Sequence, residues 1–553
     1  MTLSPRLPRA YFHYGFFSLV ACFSLCAASS AKPHITLSRK VGPPTTQILV
    51  SGSGFEPNAG VDIYFDTKDE LLVVTDGRGE FKGAKAHAPR SARPGNHWVT
   101  ALERNNDKGA QKPFVVFTNW PQVGFDPSLS GLNPYENVLD RHNVGGLDVA
   151  WSYTVQTYSA MIASPVVWEG AVYVAFNGGM LYAFDAETGA VLWKHAGPVG
   201  SPAVGNGLVY AYNGQRAAAQ AFNAHTGKLL WSRKINGNIG GPAFPTVADG
   251  KVFIGNGNGP LYALNATTGA LLWMFSSHEG LFYYGPAVGN GVVYVCDEDD
   301  AGEMGTCYAL DEKNGSLLWD YAVYSGPITS SPALAQGLAF FEEQYQGIFA
   351  LDASTGALVW HYHTQSFQGS PAVANGVVYV GGDTGLMALD AYTGKLLWTG
   401  ADGQVNAPAI ANGVVYAITI GATIDARDAD SGTLLWTYPM GTATYYDPAI
   451  ANGWVFAPSY SSDNGITQLY AFRLKRSYAT GNKSSTNRPK LSTLRPDLSF
   501  PAWRSRHPPL NRCRPCIQSE KQRESSNCEL FVWWKRKHPL SCWRERVTVV
   551  TSP

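Results

Sequence analysis

Apolar and polar residues alternate along this chain in short runs broken by Gly, Asn, Asp and Pro, with a period of two. Val377 and Tyr379 share one face of such a run, and Leu396 and Trp398 share one face of another. A period of two predicts β-strands that each bury one face, so the pattern reads as an all-β protein with many tight turns.

From residue 164 the runs repeat. Ala183-Phe184-Asp185-Ala186-Glu187-Thr188-Gly189 leads into Trp193, and the pattern A-x-[DN]-x-x-[TSN]-G-x-x-x-W returns to end at Trp231, Trp273, Trp319, Trp360, Trp398 and Trp436. Each copy follows a step of a small residue and a proline, at Pro165, Pro202, Pro242, Pro286, Pro332, Pro371, Pro408 and Pro448. Successive prolines stand 37 to 46 residues apart, the length of a four-stranded propeller blade. In the turn Asp390-Ala391-Tyr392-Thr393-Gly394 the Asp and Thr side chains are placed to bond backbone N–H groups, and Gly394 supplies a positive φ. The Trp that follows is large enough to fill the wedge between neighbouring blades, a structural role rather than a binding face.

Eight proline steps but only seven motif tryptophans occur, because the last unit ends at 468–472 with no Trp after it. Residues 147–153 supply the missing strand. Trp151 lies 42 residues before Trp193, in phase with the others. The expectation is an eight-bladed β-propeller over 147–473, closed by the strand of Trp151 so that no edge stays open.

The repeat resembles the tryptophan-docking motif of the PQQ-dependent (quinoprotein) alcohol dehydrogenase superfamily. The same repeat builds non-catalytic propellers, among them the β-propeller lipoprotein of outer-membrane assembly. The resemblance implies the fold more than an activity. Dehydrogenases of that superfamily carry adjacent cysteines against the quinone, a Ca²⁺ held by acidic and amide side chains, and long insertions. Here Cys296 and Cys307 stand eleven apart, and no C-x-x-C-H occurs for a c-type haem. The dehydrogenase ligands carry over to no position.

Charge divides the chain. Residues 1–472 hold 24 Lys and Arg against 37 Asp and Glu, while residues from 473 hold 18 against 5, so a net charge of zero conceals a boundary. The tail 474–553 is basic, lacks the repeat and reads as disordered; its Cys513-x-x-Cys516 has no partner pair to complete a zinc site. Upstream, residues 32–120 read as a small Ig-like β-sandwich, with strands near 46–50, 61–65, 71–75, 97–102 and 114–118. A Gly-, Pro- and Asn-rich linker, 121–146, joins it to the propeller.

At the start, Arg6 and Arg9 precede an uncharged apolar run over 11–28, the layout of a secretory signal peptide within 1–31. Ser29-Ser30-Ala31 suits one cleavage and Leu19-Val20-Ala21-Cys22 resembles a lipobox that would lipidate Cys22. Either reading exports the protein to the periplasm, the cell envelope or the medium. There Cys296 and Cys307, which flank one hairpin, are expected to form a disulfide.

Ligands of a propeller meet the loops at one end of its channel. The loops into the proline steps and those between second and third strands share that end, and they carry His278, Tyr283, Tyr284, Gln368, Tyr445, Tyr446 and Asp447. These are the binding candidates, with blade packing as the alternative for the tyrosines. The acidic stretch Asp297-Glu298-Asp299-Asp300 with Glu303 offers hard oxygen ligands for Ca²⁺, but a solvated loop is the plainer reading, and no metal site is assigned. No catalytic constellation follows from spacing. The expectation is therefore a non-catalytic binding or scaffold protein of the bacterial cell envelope. It would take a protein, peptide or glycan, with no nucleic acid, no membrane contact beyond a lipid anchor, and no cofactor. The alternative is a PQQ-dependent alcohol or sugar dehydrogenase with PQQ and calcium.

Overall fold

A computed structural model describes residues 32–475, save 107, 157–162, 177–178, 236–243, 256, 258, 278–279, 300–302, 365–368, 383–384, 401–402, 420–422, 442–445 and 462–464, together with 545–549. Cys22, both cleavage patterns, His278, Gln368, Tyr445 and the tail over 476–544 lie outside the described residues.

Residues 34–116 form two sheets. One orders the strands His34–Leu37, Gln47–Ser53 and Phe81–His87; the other orders Val41–Gly42, Gly109–Val116, Gly95–Glu103, Gly60–Phe65 and Lys68–Val74. Ile35, Ile48, Val50, Val61, Ile63, Val99 and Phe114 are buried together in one core. Three of these strands escape the sequence pattern, among them the two-residue Val41–Gly42. His34–Leu37 is only four residues long, and Phe81–His87 interrupts its alternation with Gly83 between two lysines.

The propeller follows as eight sheets among the described residues. In seven, four strands run in chain order, opening at Val166–Trp168, Pro198–Gly205, Thr246–Ala248, Ala287–Gly289, Ala333–Ala335, Ala372–Ala374 and Ala409–Ala411. The eighth takes Ala449–Ala451, Trp454–Ser461 and Ile466–Leu474, then Leu147–Gln156, which runs antiparallel to Ile466–Leu474 with Trp151 opposite Ala471. The start and end of the repeat region therefore share one sheet. Glu545–Val549 pairs with the far edge of Leu147–Gln156, Trp151 facing Val549. That segment of the tail is strand rather than disordered; its β-branched Val547, Thr548 and Val549 suit an extended chain, which the basic composition of the tail had masked.

The tryptophans join each sheet to the next. Trp151 donates its indole N–H to the carbonyl of Ala186 at 3.0 Å, Trp193 to Ala224 at 2.8 Å and Trp231 to Ala266 at 3.0 Å. Trp273 donates to Glu312 at 2.9 Å, Trp319 to Ala353 at 3.1 Å, Trp360 to Ala391 at 2.9 Å and Trp398 to Ala429 at 3.1 Å. Trp436 completes the cycle on Leu147 at 3.1 Å. In the first seven bonds the acceptor lies in the repeat turn of the following sheet, so one motif both receives the previous blade and docks onto the next; in the eighth it is Leu147, which opens the closing strand.

The turn explains its own residues. Asp390 Oδ1 accepts from the N–H of Thr393 at 2.8 Å, from its hydroxyl at 2.8 Å and from the N–H of Tyr392 at 3.1 Å. Gly394 has φ +68°, and a Cβ there would stand 2.7 Å from the Trp360 ring, so the position needs glycine twice over.

Cys296 and Cys307 lie directly opposite on neighbouring strands, with Cα atoms 4.0 Å apart, and are joined as a disulfide in a buried cluster with Val323, Ile328 and Phe341. Replacing both by Ala should lower the stability of the propeller by about 2–3 kcal/mol on the chain-entropy estimate. Urea titration of the oxidised protein against the double variant measures it, and equal midpoints would show that the bridge constrains nothing.

Candidate functional site

The innermost strand of each four-stranded blade leaves one edge unpaired within its own blade, and such groups need partners wherever water is excluded; in the seventh sheet Leu132–Asn133 pairs in parallel with Ile410 and Ala411. The linker supplies them. Val167 exchanges backbone hydrogen bonds with Trp120, Val204 donates to the Pro121 carbonyl and Val247 to Gln122 Oε1. Val288 donates to Pro127, Leu334 to Ser128, Val373 to Ser130 and Ile410 to Gly131, while Asn133 Nδ2 donates to the Ile450 carbonyl. Residues 120–133 thus touch the inner strand of all eight sheets, in sheet order. What composition marks as a linker is a ring inside the ring, and it floors the channel.

Above this floor stand the residues that precede the prolines. Asp447 N–H donates to Ser164 Oγ at 3.0 Å, and Ser164 N–H donates to Ser201 Oγ at 3.0 Å. Gly285 N–H donates to Ser331 Oγ at 2.9 Å, and Ser331 N–H donates to Ser370 Oγ at 3.0 Å. In these four steps the N–H goes to the hydroxyl of the next sheet, and a Gly or Ala at that position has no hydroxyl to receive one. Of the eight positions only Asp447 is charged.

Between floor and girdle lies a cavity of about 20 Å³, lined by Trp120, Val123, Leu129, Ser331, Ser370, Pro371, Pro408 and Asp447 among others. Asp447 is surrounded by protein, with the Ser164 hydroxyl 3.4 Å from its Oδ2. Burial pushes its pKa up to about 7, against a weaker opposing pull from that hydroxyl. An acid raised in the folded state holds a proton that the unfolded chain has already released above pH 3.8, so its contribution to stability falls as pH rises from about 4 to about 7. Asp447→Asn should therefore melt higher relative to the parent at pH 7.5 than at pH 4.5. Melting curves at the two values test this, and a constant difference would deny the raised carboxyl.

The sequence candidates are only partly brought together. Asp447 lines the cavity; Tyr446 beside it is 8 % exposed, and burial pushes its hydroxyl up to about 12, so its ring packs rather than presents itself. Tyr284, raised above its ordinary value by burial, and Tyr283, whose ring lies over Gly257, belong to the fourth sheet's approach, half the sheet order away from Asp447. Asp297 of the acidic stretch turns inward: it accepts from Thr306 N–H at 3.1 Å and from the Tyr308 hydroxyl at 3.1 Å, and burial raises its pKa. Among the described residues no group of three His, Cys, Asp or Glu is arranged to hold a metal ion.

Sequence reasoning missed a buried ion pair. Arg427 Nη2 donates to Asp425 Oδ2 at 3.1 Å, and both side chains are under a tenth exposed. The aligned repeats carried the signal: where Arg427 stands, the other six complete motifs have Phe184, Phe222, Leu264, Leu310, Leu351 and Leu389.

Comparison with known proteins agrees with this architecture. The family described as outer membrane protein assembly factor BamB matches residues 144–274, 215–366 and 303–477. The chain is 32 % identical over 187 residues to quinohemoprotein alcohol dehydrogenase ADH-IIG of Pseudomonas putida, covering 29 % of this chain and 26 % of that protein. It is 28 % identical over 216 residues to the dehydrogenase subunit of alcohol dehydrogenase (quinone) of Komagataeibacter europaeus, covering 32 % and 28 %. The matches thus span little more than a quarter of these curated relatives. Quinohemoprotein alcohol dehydrogenase from Comamonas testosteroni superposes with a TM-score of 0.58 at 17 % identity, over 68 % of this chain and 82 % of that one. That likeness is one of fold.

Proposed function

This chain belongs to the PQQ-repeat β-propeller family described as outer membrane protein assembly factor BamB, and from that membership we propose an exported, non-catalytic binding or scaffold protein of the bacterial cell envelope. Its eight sheets are read as eight blades of one closed ring, and its ligand, a protein or peptide before a glycan, meets the loops at the proline-step end. The observation that carries this reading is the floor. Residues 120–133 bond to the inner strand of all eight sheets, and we read the proline-step loops as the end left for a ligand.

The same site differs in size and charge from what the quinone of the dehydrogenase relatives requires. PQQ is a flat tricyclic molecule with three carboxylates. The axial cavity, at about 20 Å³, has room for a group about the size of one water molecule. Among the described residues its one ionisable side chain is itself a carboxyl group, and no Lys or Arg lines it. Like charges in a site of low dielectric repel, so the described residues do not fit PQQ.

The identity of 32 % to a quinohemoprotein dehydrogenase favours the rival reading, a PQQ-dependent oxidoreductase. Incubating the purified protein with PQQ and Ca²⁺ separates the two. The binding reading expects no retained quinone absorbance and no dye reduction with alcohols or sugars. Retained quinone with substrate-dependent dye reduction would overturn it.

A further inference from the structure

The axial cavity sets one carboxylate and two hydroxyls among apolar walls, and we propose that it is a receptor site for a single primary ammonium group, the tip of a lysine side chain presented by a peptide or protein at the channel mouth. The proposal rests on the binding reading above and specifies the ligand chemistry of that same site.

Charge is the first argument. Seven of the eight residues that precede the prolines are neutral and small: Ser164, Ser201, Gly241, Gly285, Ser331, Ser370 and Ala407. Of these eight Asp447 alone can carry charge, and among the described residues no Lys, Arg or His lines the cavity to balance it. A carboxylate kept from water without a counter-charge is costly, and a monovalent cation removes that cost where a divalent one would leave an excess positive charge. The titratable group acting from its own segment is Tyr446, which stays neutral at any physiological pH; the first sheet's segment presents the hydroxyl of Ser164, and those of the fifth and sixth sheets present Ser331 and Ser370.

Donor count and size make the second argument. An ammonium group has three N–H donors and no acceptor. Asp447 offers a carboxylate. Ser331 and Ser370 each accept one backbone N–H, at 2.9 and 3.0 Å, and a hydroxyl oxygen has a second lone pair. The space, about 20 Å³, matches a group the size of water, which an ammonium is and a guanidinium is not. Trp120, Val123, Leu129, Pro371 and Pro408 surround that space with apolar atoms, so the carboxylate and the hydroxyls are the polar groups that meet the ammonium there. The raised carboxyl fits this role, since burial disfavours its ionised form and a bound cation would favour that form again.

The test uses the full chain and n-butylamine, which copies the lysine tip and stays protonated at pH 8. Calorimetric titration should show n-butylamine binding and n-butanol not binding. Amine affinity should fall about tenfold per pH unit below about 7, as Asp447 takes up its proton. Asp447→Asn should abolish amine binding while its circular dichroism spectrum matches the parent, and the pH series supplies the same evidence without any substitution. Equal binding of the alcohol, a flat pH profile, undiminished binding by the Asn variant, or no amine binding at all would each overturn the proposal. A peptide pool with every lysine acetylated separates this failure from that of the wider reading. If the acetylated pool still binds at the mouth, the binding reading stands and the ammonium site falls; if neither pool binds, both fall.

Discussion

Truncating Trp151 to Ala should destabilise the propeller by about 3–5 kcal/mol, the range for removing a buried aromatic from a core. Trp151 is 2 % exposed and sits where the two ends of the repeat region meet. Its ring lies 6.1 Å from Phe184 in the first sheet and 6.0 Å from Phe456 in the last, and its N–H reaches the Ala186 carbonyl. Three losses coincide in the variant: the aromatic contacts on both sides, the hydrogen bond, and the surface that Gly189 has no side chain to replace. Trp193 makes the same bond from a half-buried position, so Trp193→Ala should cost less. Denaturant titration of both variants reads the difference. A loss below about 1 kcal/mol for Trp151→Ala would mean that the seam closes without it, and deleting 147–153 would then be tolerated as well. With the seam intact, that deletion leaves Ile466–Leu474 as an exposed edge and should destabilise every sheet, because neighbours in a closed ring support one another.

The fold was legible because its chemistry is local and repeated. Asp390, Thr393, Gly394 and Trp398 act within nine residues of one another, and seven copies of that grouping average out the accidents of any one. What the turn glycine does across the blade boundary was not legible, since the Trp it touches belongs to the preceding repeat. The channel floor was hidden for a different reason. Residues 120–133 act mostly through backbone carbonyls, which every sequence has, and their Pro and Gly content is that of any loop. Asp447 lay between these cases. It was found beside tyrosines, by composition, while the stronger signal was its column: among the residues that precede the prolines it is the one acid. His278, Gln368 and Tyr445 rest on the same compositional argument and fall outside the described residues.

Arg427→Leu should cost about 3–5 kcal/mol although it restores the residue type that the other complete repeats carry, because it strands Asp425 in the interior. Asp425 accepts from Arg427 at 3.1 Å, from the Thr437 hydroxyl at 2.7 Å and from the Thr423 hydroxyl at 3.1 Å. Arg427 Nη1 also donates to the Gly432 carbonyl at 3.2 Å, within the turn that receives Trp398, so the pair bears on the dock between sixth and seventh sheets. Losing the guanidinium leaves a buried carboxylate with two hydroxyls and no counter-charge, and hydroxyls alone do not offset its desolvation. The double variant Asp425→Met with Arg427→Leu copies the pairing of Met387 and Leu389 in the sixth sheet, where both side chains are buried. It should recover the loss and match or exceed the parent, since replacing a whole buried pair by apolar residues of similar volume is often neutral or stabilising. Denaturant titration of parent, single and double variants closes the cycle. If the double variant stays as unstable as the single one, the pair is holding the Trp398 dock in register rather than merely balancing its own charges.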